Sequence, residues 1–115
     1  MSEAVLDRLT SERLSNILTR LRGGLSQLLG DELEAIYLYG SQARGDARAG
    51  SDIDVLIVIR GNFDYFEMLE RTSHLIANLS LENDVLISRT FASKHDFETR
   101  RTPLLTNVQR EGILI

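Results

Sequence analysis

Residues 33–59 read LEAIYLYGSQARGDARAGSDIDVLIVI, and the fold turns on how this stretch is read. LEAIYLY, residues 33–39, reads as a β-strand, with Gly40-Ser41 as its stop signal. SQARGDARAGS then suggests a short helical turn followed by a loop. DIDVLIVI, residues 52–59, reads as a second strand, mostly buried. Asp52 and Asp54 stand at the mouth of that strand. Aspartate is a poor strand former and is costly to bury without a partner, so its placement here calls for a chemical reason.

Outward from this stretch, Leu14, Ile17, Leu18, Leu21, Leu25, Leu28 and Leu29 recur at three-and-four spacing, the stripe of one helix carried through Gly23-Gly24. Thr10 or Ser11 caps its start and Gly30-Asp31 ends it. After a Gly61-Asn62 turn, the pattern is helical again from Phe63 to about Leu79. NDVLIS, residues 83–88, reads as a third strand. FASKHDFETRRT, residues 91–102, is polar and fits either a loop or a short helix. Pro103 suits the first turn of a last helix, with Leu104, Leu105 and Val108 as its apolar face and Gly112 just past its end. The order is that of one α/β domain over residues 1–115, a small sheet of three or more strands flanked by helices.

Composition bounds the function. A chain of 115 residues fits one domain. It has no cysteine, which excludes disulfides and Cys-based zinc sites. Its apolar runs are too short to span a bilayer, and the acidic-polar start is unlike a signal peptide, so a cytoplasmic location is expected. A net charge of −4 argues against direct nucleic-acid binding. Of 13 basic residues only Lys94 is a lysine; arginine suits bidentate phosphate and carboxylate contacts.

Asp52 and Asp54 are two apart, so on a strand their side chains share one face with Cα atoms roughly 6.5–7 Å apart. Two carboxylates on one face repel, and a divalent cation supplies the missing counter-charge. Hard oxygen ligands favour Mg²⁺ or Mn²⁺, and Mg²⁺ is commonly completed by substrate phosphates. Asp84, at the start of the expected third strand, completes a three-carboxylate cluster if that strand lies beside the second, as a two-metal phosphoryl-transfer site requires. Gly40 permits a sharp turn and close backbone approach. Ser41 then caps a short helix whose free N–H groups suit an anion. Arg44 and Arg48 are near enough in sequence to reach phosphate oxygens; Arg44 equally suits a structural pairing with Asp46 or a carbonyl, and Arg48 suits a solvated position. Tyr37 and Tyr39 read as packing residues. His74 and His95 lack metal-ligand spacing.

Gly40-Ser41, ten residues, then Asp52-Ile53-Asp54 resembles the G-S-x10-D-x-D signature of the polymerase β-like nucleotidyltransferases. GSQARGDARAGSDIDVLIV is similar to the minimal nucleotidyltransferase (MNT) branch, as is the tail TPLLTNVQREGILI. The resemblance runs from the helix before Leu33 to Ile115. It implies a mixed sheet, ATP or another nucleoside triphosphate as donor, and two Mg²⁺ ions. It further implies Asp52, Asp54 and Asp84 as catalytic metal ligands, with Glu82 as the alternative to Asp84, and Gly40, Ser41 and Arg44 as nucleotide binders.

The chain has no room for the acceptor-binding domain of larger relatives. The resemblance therefore implies a partner, a HEPN-type toxin, with this chain as antitoxin transferring AMP from ATP to a hydroxyl, tyrosine by preference. Two other functions compete: a non-catalytic antitoxin acting by contact, and a subunit that nucleotidylates a small molecule. The intact Gly-Ser and Asp-x-Asp elements favour catalysis over the former. The missing acceptor domain disfavours the latter.

Overall fold

The computed structural model of the chain describes residues 11–48 and 51–115. Helix α1 (Ser11–Leu29) leads through a short 3-10 turn into β1 (Leu33–Tyr39). A single-turn helix, α2 (Ser41–Arg44), and a loop connect to β2 (Ile53–Ile59). Next come α3 (Tyr65–Asn83), β3 (Ile87–Ser93), α4 (Lys94–Thr99), α5 (Pro103–Glu111) and β4 (Ile113–Leu114). Thr10, one of the two expected caps of α1, lies outside the described residues.

The sheet is mixed, in the order β3-β2-β1-β4. β1 is antiparallel to both β2 and β4, whereas β2 and β3 are parallel, joined across α3. Strand β2 is central and covered on both sides, which explains its unbroken apolar run. Ile53, Val55, Ile57 and Ile59 pack with Ile17, Leu21, Leu25 and Leu29 of α1 and with Met68, Ile76 and Leu79 of α3. Leu56 and Val58 point the other way, against Leu105 and Val108 of α5, Ala92, Tyr37, Tyr39 and Phe97. Tyr37 stacks on Phe97 with ring centroids 4.9 Å apart. By the two-residue alternation Asp54 belongs to this second face.

The helix ends follow from local chemistry. Asp64 accepts from the Glu67 N–H at the start of α3, Ser93 from the Asp96 N–H at the start of α4, and Thr102 from the Leu105 N–H at the start of α5, where Pro103 occupies the first turn. Of the two glycines inside α1, Gly23 faces open space, whereas a Cβ on Gly24 would stand 2.5 Å from Leu75 of α3. Gly24 thus marks close helix packing, and Gly23 is only a weak helix former. Gly23→Ala is expected to raise stability by about 0.5–1 kcal/mol. Gly24→Ala is expected to fall below it by about 1 kcal/mol or more because Leu75 must move. Urea melts of the two variants check this; equal stabilities would refute the packing account.

The third strand departs from the sequence reading, which set it at residues 83–88. Helix α3 continues to Asn83, and Asp84 follows it in the left-handed region, at φ 51° and ψ 49°. The strand proper starts three residues later and includes the polar stretch Ser88-Arg89-Thr90. Arg89 is accommodated there because α3 accepts its donors: Nε donates to Thr72 Oγ1 at 2.8 Å and Nη2 to the Leu69 carbonyl at 2.9 Å. The segment left open as loop or helix splits into the end of β3 and helix α4.

Candidate active site

The turn between β1 and β2 gathers the candidate residues. Gly40 has φ 75° and ψ −156°, a conformation open essentially to glycine alone. It is also crowded: a Cβ at Gly40 would stand 2.6 Å from Asp54 Oδ2. The backbone of the Gly-Ser turn therefore lies directly against the second aspartate, as Tyr39↔Asp54 pairing in the β1–β2 ladder requires. The Gly40 carbonyl accepts from the Ala43 and Arg44 N–H groups, each at 3.1 Å. The N–H groups of Ser41 and Gln42 precede these first bonds of the helical turn, which leaves them outside its ladder.

Asp54 is the second residue of β2, and Asp52 immediately precedes the strand. Both are half-buried. Burial raises the Asp54 pKa, the Asp52 charge raises it further, and Arg44 opposes the shift. The pair and the arginine thus share one electrostatic neighbourhood. Arg44 is engaged on two carboxylates: Nε donates to Asp46 Oδ2 at 3.2 Å and Nη1 to Glu111 Oε1 at 3.0 Å. The Asp46 pairing is the structural alternative named from sequence. Sequence reading gives Glu111 no role; its signals are its place in the tail TPLLTNVQREGILI, similar to the minimal nucleotidyltransferase branch, and its position at the end of the last apolar helix pattern, ahead of Gly112. For Arg48, the backbone N–H donates to Ser51 Oγ at 2.8 Å, shaping the loop.

Tyr39, read from sequence as a packing residue, also faces Asp54. Its phenol pKa is raised by burial and further by the Asp54 charge. Across the parallel ladder Asp54 pairs with Ser88, and Leu56 with Thr90, so β3 presents hydroxyls on this side. The Thr90 hydroxyl is buried without a well-formed hydrogen bond among the described residues, and the Tyr39 phenol approaches it.

Asp84 does not join this group. It is exposed at the end of α3, not on β3, and among the described residues no three carboxylate or histidine side chains come together as a metal site. Glu82, the alternative, is on α3 and pairs with Arg20 of α1. The expectation that a third strand starting at residue 83 would carry the cluster fails because the helix runs on to Asn83. Where it stands, Asp84 is the left-handed C-cap residue of α3. Asp84→Gly is expected to keep or raise stability, by up to about 1 kcal/mol, because glycine meets no penalty at positive φ. Asp84→Asn is expected to leave nucleotide transfer within about twofold, because only a group acting in the transition state lowers turnover selectively. Thermal melts and initial rates check both; a large loss of turnover in Asp84→Asn would restore it to the site.

Asp52 and Asp54 suit a divalent cation completed by phosphate oxygens, the mode in which Mg²⁺ uses one or two carboxylates. The repulsion that raises the Asp54 pKa is what a cation would relieve. A cavity of about 380 Å³ between α1 and β4 has neither aspartate in its lining.

Residues 25–115 match the family described as polymerase beta nucleotidyltransferase. The chain belongs to that family, and is a nucleotidyltransferase. It is 30% identical over 97 residues to the protein adenylyltransferase candidate MJ0141 of Methanocaldococcus jannaschii, covering 84% of this chain and 93% of that one. The fold is similar to that of a nucleotidyltransferase candidate from Sulfolobus solfataricus, with a TM-score of 0.67 at 19% identity, over 99% of this chain and 86% of the other. It is also similar to a chain of a toxin–antitoxin complex solved with AMP-PNP, with a TM-score of 0.57 at 21% identity, over 86% and 69% of the two chains. The four-stranded mixed sheet is thus that of the polymerase β-like nucleotidyltransferases. No helix among the described residues is long and apolar enough to cross a membrane.

Proposed function

We propose that this nucleotidyltransferase transfers AMP from ATP to a hydroxyl of a HEPN-type toxin and so acts as its antitoxin. The carrying observation is the contact of the Gly40 backbone with the Asp54 carboxylate, which sets a turn suited to phosphate beside a carboxylate pair suited to a cation. The adenylyltransferase candidate of Methanocaldococcus jannaschii supports the reaction, and the fold shared with a chain of a toxin–antitoxin complex fits an antitoxin role.

In this reading Asp52 and Asp54 hold Mg²⁺, which when bound neutralises phosphate charge and polarises the α-phosphoryl group. The N–H groups of Ser41 and Gln42 and the Arg44 guanidinium orient the triphosphate. The acceptor oxygen attacks the α-phosphorus, the bond to the pyrophosphate oxygen breaks, and the acceptor proton leaves to solvent or a base. The new product is a phosphodiester bearing AMP. A tyrosine on a mobile segment of the partner suits the approach of roughly 3–3.5 Å that transfer requires. The added charge and adenosine would then obstruct a nucleic-acid groove on the toxin.

The test is to incubate the chain with Mg-ATP and a HEPN-type protein encoded beside it, then weigh that protein intact. One or more added AMP units, located on tyrosine by peptide mass spectrometry, is the expected result. An unmodified yet neutralised toxin would give the case to an antitoxin acting by contact alone, a reading favoured by the lack of a third clustered carboxylate among the described residues.

A further inference from the structure

Arg44 occupies an unusual position for a surface arginine. It ends the one-turn helix that begins at the Gly-Ser turn, its charge reaches Asp54, and two carboxylates from different parts of the chain hold it. The two carboxylates differ. Asp46 lies in the loop after α2, with its side chain 62% exposed. Glu111 is 30% exposed and sits at the junction of α5 and β4.

That junction is held from both sides. Leu105 and Val108 fix α5 in the core. Beyond it, β4 pairs with β1 at Leu38↔Ile113 and Tyr37↔Leu114, and the Ile115 N–H donates to the Ile36 carbonyl at 3.0 Å. Between them Gly112 leaves no slack: its N–H donates to the Val108 carbonyl at 2.8 Å, and a Cβ there would collide with that same carbonyl. Glu111 is therefore the anchored partner of Arg44 and Asp46 the yielding one.

We propose that Glu111 is a positioning residue: it holds the Arg44 guanidinium by Nη1 so that a nucleotide's β- and γ-phosphate oxygens replace Asp46 on the remaining donors. The inference rests on the nucleotide reading of the site. Arginine has five N–H donors in a rigid fork. Glu111 and Asp46 take one each from Nη1 and Nε, and three remain. Displacing Asp46 frees a fourth. The C-terminal segment thereby becomes part of the nucleotide site through one hydrogen-bonded ion pair, without touching the substrate.

Simple electrostatics and positioning predict opposite signs. Removing either carboxylate takes a negative charge from the neighbourhood of an incoming triphosphate, which by itself strengthens binding at both positions. If Glu111 positions Arg44, Glu111→Ala weakens binding of Mg-AMP-PNP about tenfold, the scale of one charge-assisted hydrogen bond. Asp46→Asn leaves that affinity unchanged or strengthens it. Glu111→Gln, which keeps the acceptor oxygen, stays within about threefold of the parent. AMP, which lacks the β- and γ-phosphates, binds Glu111→Ala and parent alike. An exposed ion pair contributes little to stability, so Tm moves by no more than about 4 °C.

The measurement is calorimetric titration of the full chain, with Glu111→Ala repeated in an Arg44→Ala background, where its effect is expected to vanish. Tighter binding by Glu111→Ala, or an equal loss with and without Arg44, overturns the positioning role while the nucleotide reading stands. A parent chain that does not bind Mg-AMP-PNP overturns the nucleotide reading itself, and this role with it.

Discussion

Asp52→Asn/Asp54→Asn is expected to abolish AMP transfer, by on the order of 10³-fold or more, and to raise the stability of the metal-free protein. The catalytic loss follows because asparagine keeps the shape but not the charge that holds a divalent cation and stabilises charge on the phosphoryl group. The gain in stability follows from the sign of the Asp54 shift. Its folded-state pKa lies above the ordinary 3.8, so the native state holds the proton more tightly than the unfolded chain does. The shift therefore costs no stability below the unfolded pKa. Its cost appears as pH rises through the folded value and is fully present at neutral pH. The double variant is expected to melt roughly 1–5 °C higher than the parent at pH 7 without metal. The difference should shrink as pH falls through the raised folded-state pKa of Asp54 and vanish below the ordinary 3.8. Thermal melts across this range, with Mg-ATP transfer assays alongside, check both halves. A marked loss of apo stability would instead assign the two aspartates a structural role.

Gly40→Ala is expected to lose both stability and activity, and Gly45→Ala only stability. Both glycines have positive φ, 75° and 80°. Each alanine therefore carries backbone strain of about 1–3 kcal/mol. Around Gly45 a Cβ meets nothing within 4 Å, so the strain stays local. At Gly40 the new methyl meets Asp54 Oδ2 and must push the carboxylate or the turn aside. A displacement approaching 1 Å between phosphate-binding turn and carboxylate is expected to lower kcat/KM about 10²-fold. Chemical denaturation and initial rates separate the two effects. Equal activity in the two variants would mean that the Gly40–Asp54 contact does not set the site's geometry.

Much of the fold and part of the site were legible in the sequence because their signals are local. The unbroken Val55–Ile59 run reads as a mostly buried strand, and the structure shows it covered on both faces. Gly40-Ser41 announced the sharp turn, and Pro103 the start of the last helix, whose Thr102 cap the structure adds. Asp52 and Asp54 stand out because charge at the mouth of an apolar strand demands a reason, and their spacing alone puts them on one face of it. Tertiary structure decided where β3 begins. Val85, Leu86 and Ile87 look at least as strand-like as Ser88, Arg89 and Thr90, and Arg89 looks unfit for a strand until α3 provides the Thr72 hydroxyl and Leu69 carbonyl for its guanidinium. That choice took Asp84 off the sheet and out of the carboxylate group. Tertiary structure also chose the partner of Arg44 from across 67 positions of sequence, by docking the end of α5 beside the Gly-Ser turn. Periodicity and turn chemistry report what each segment prefers by itself; which polar group satisfies which, and so which charges meet, depends on the packing of segments far apart in the chain.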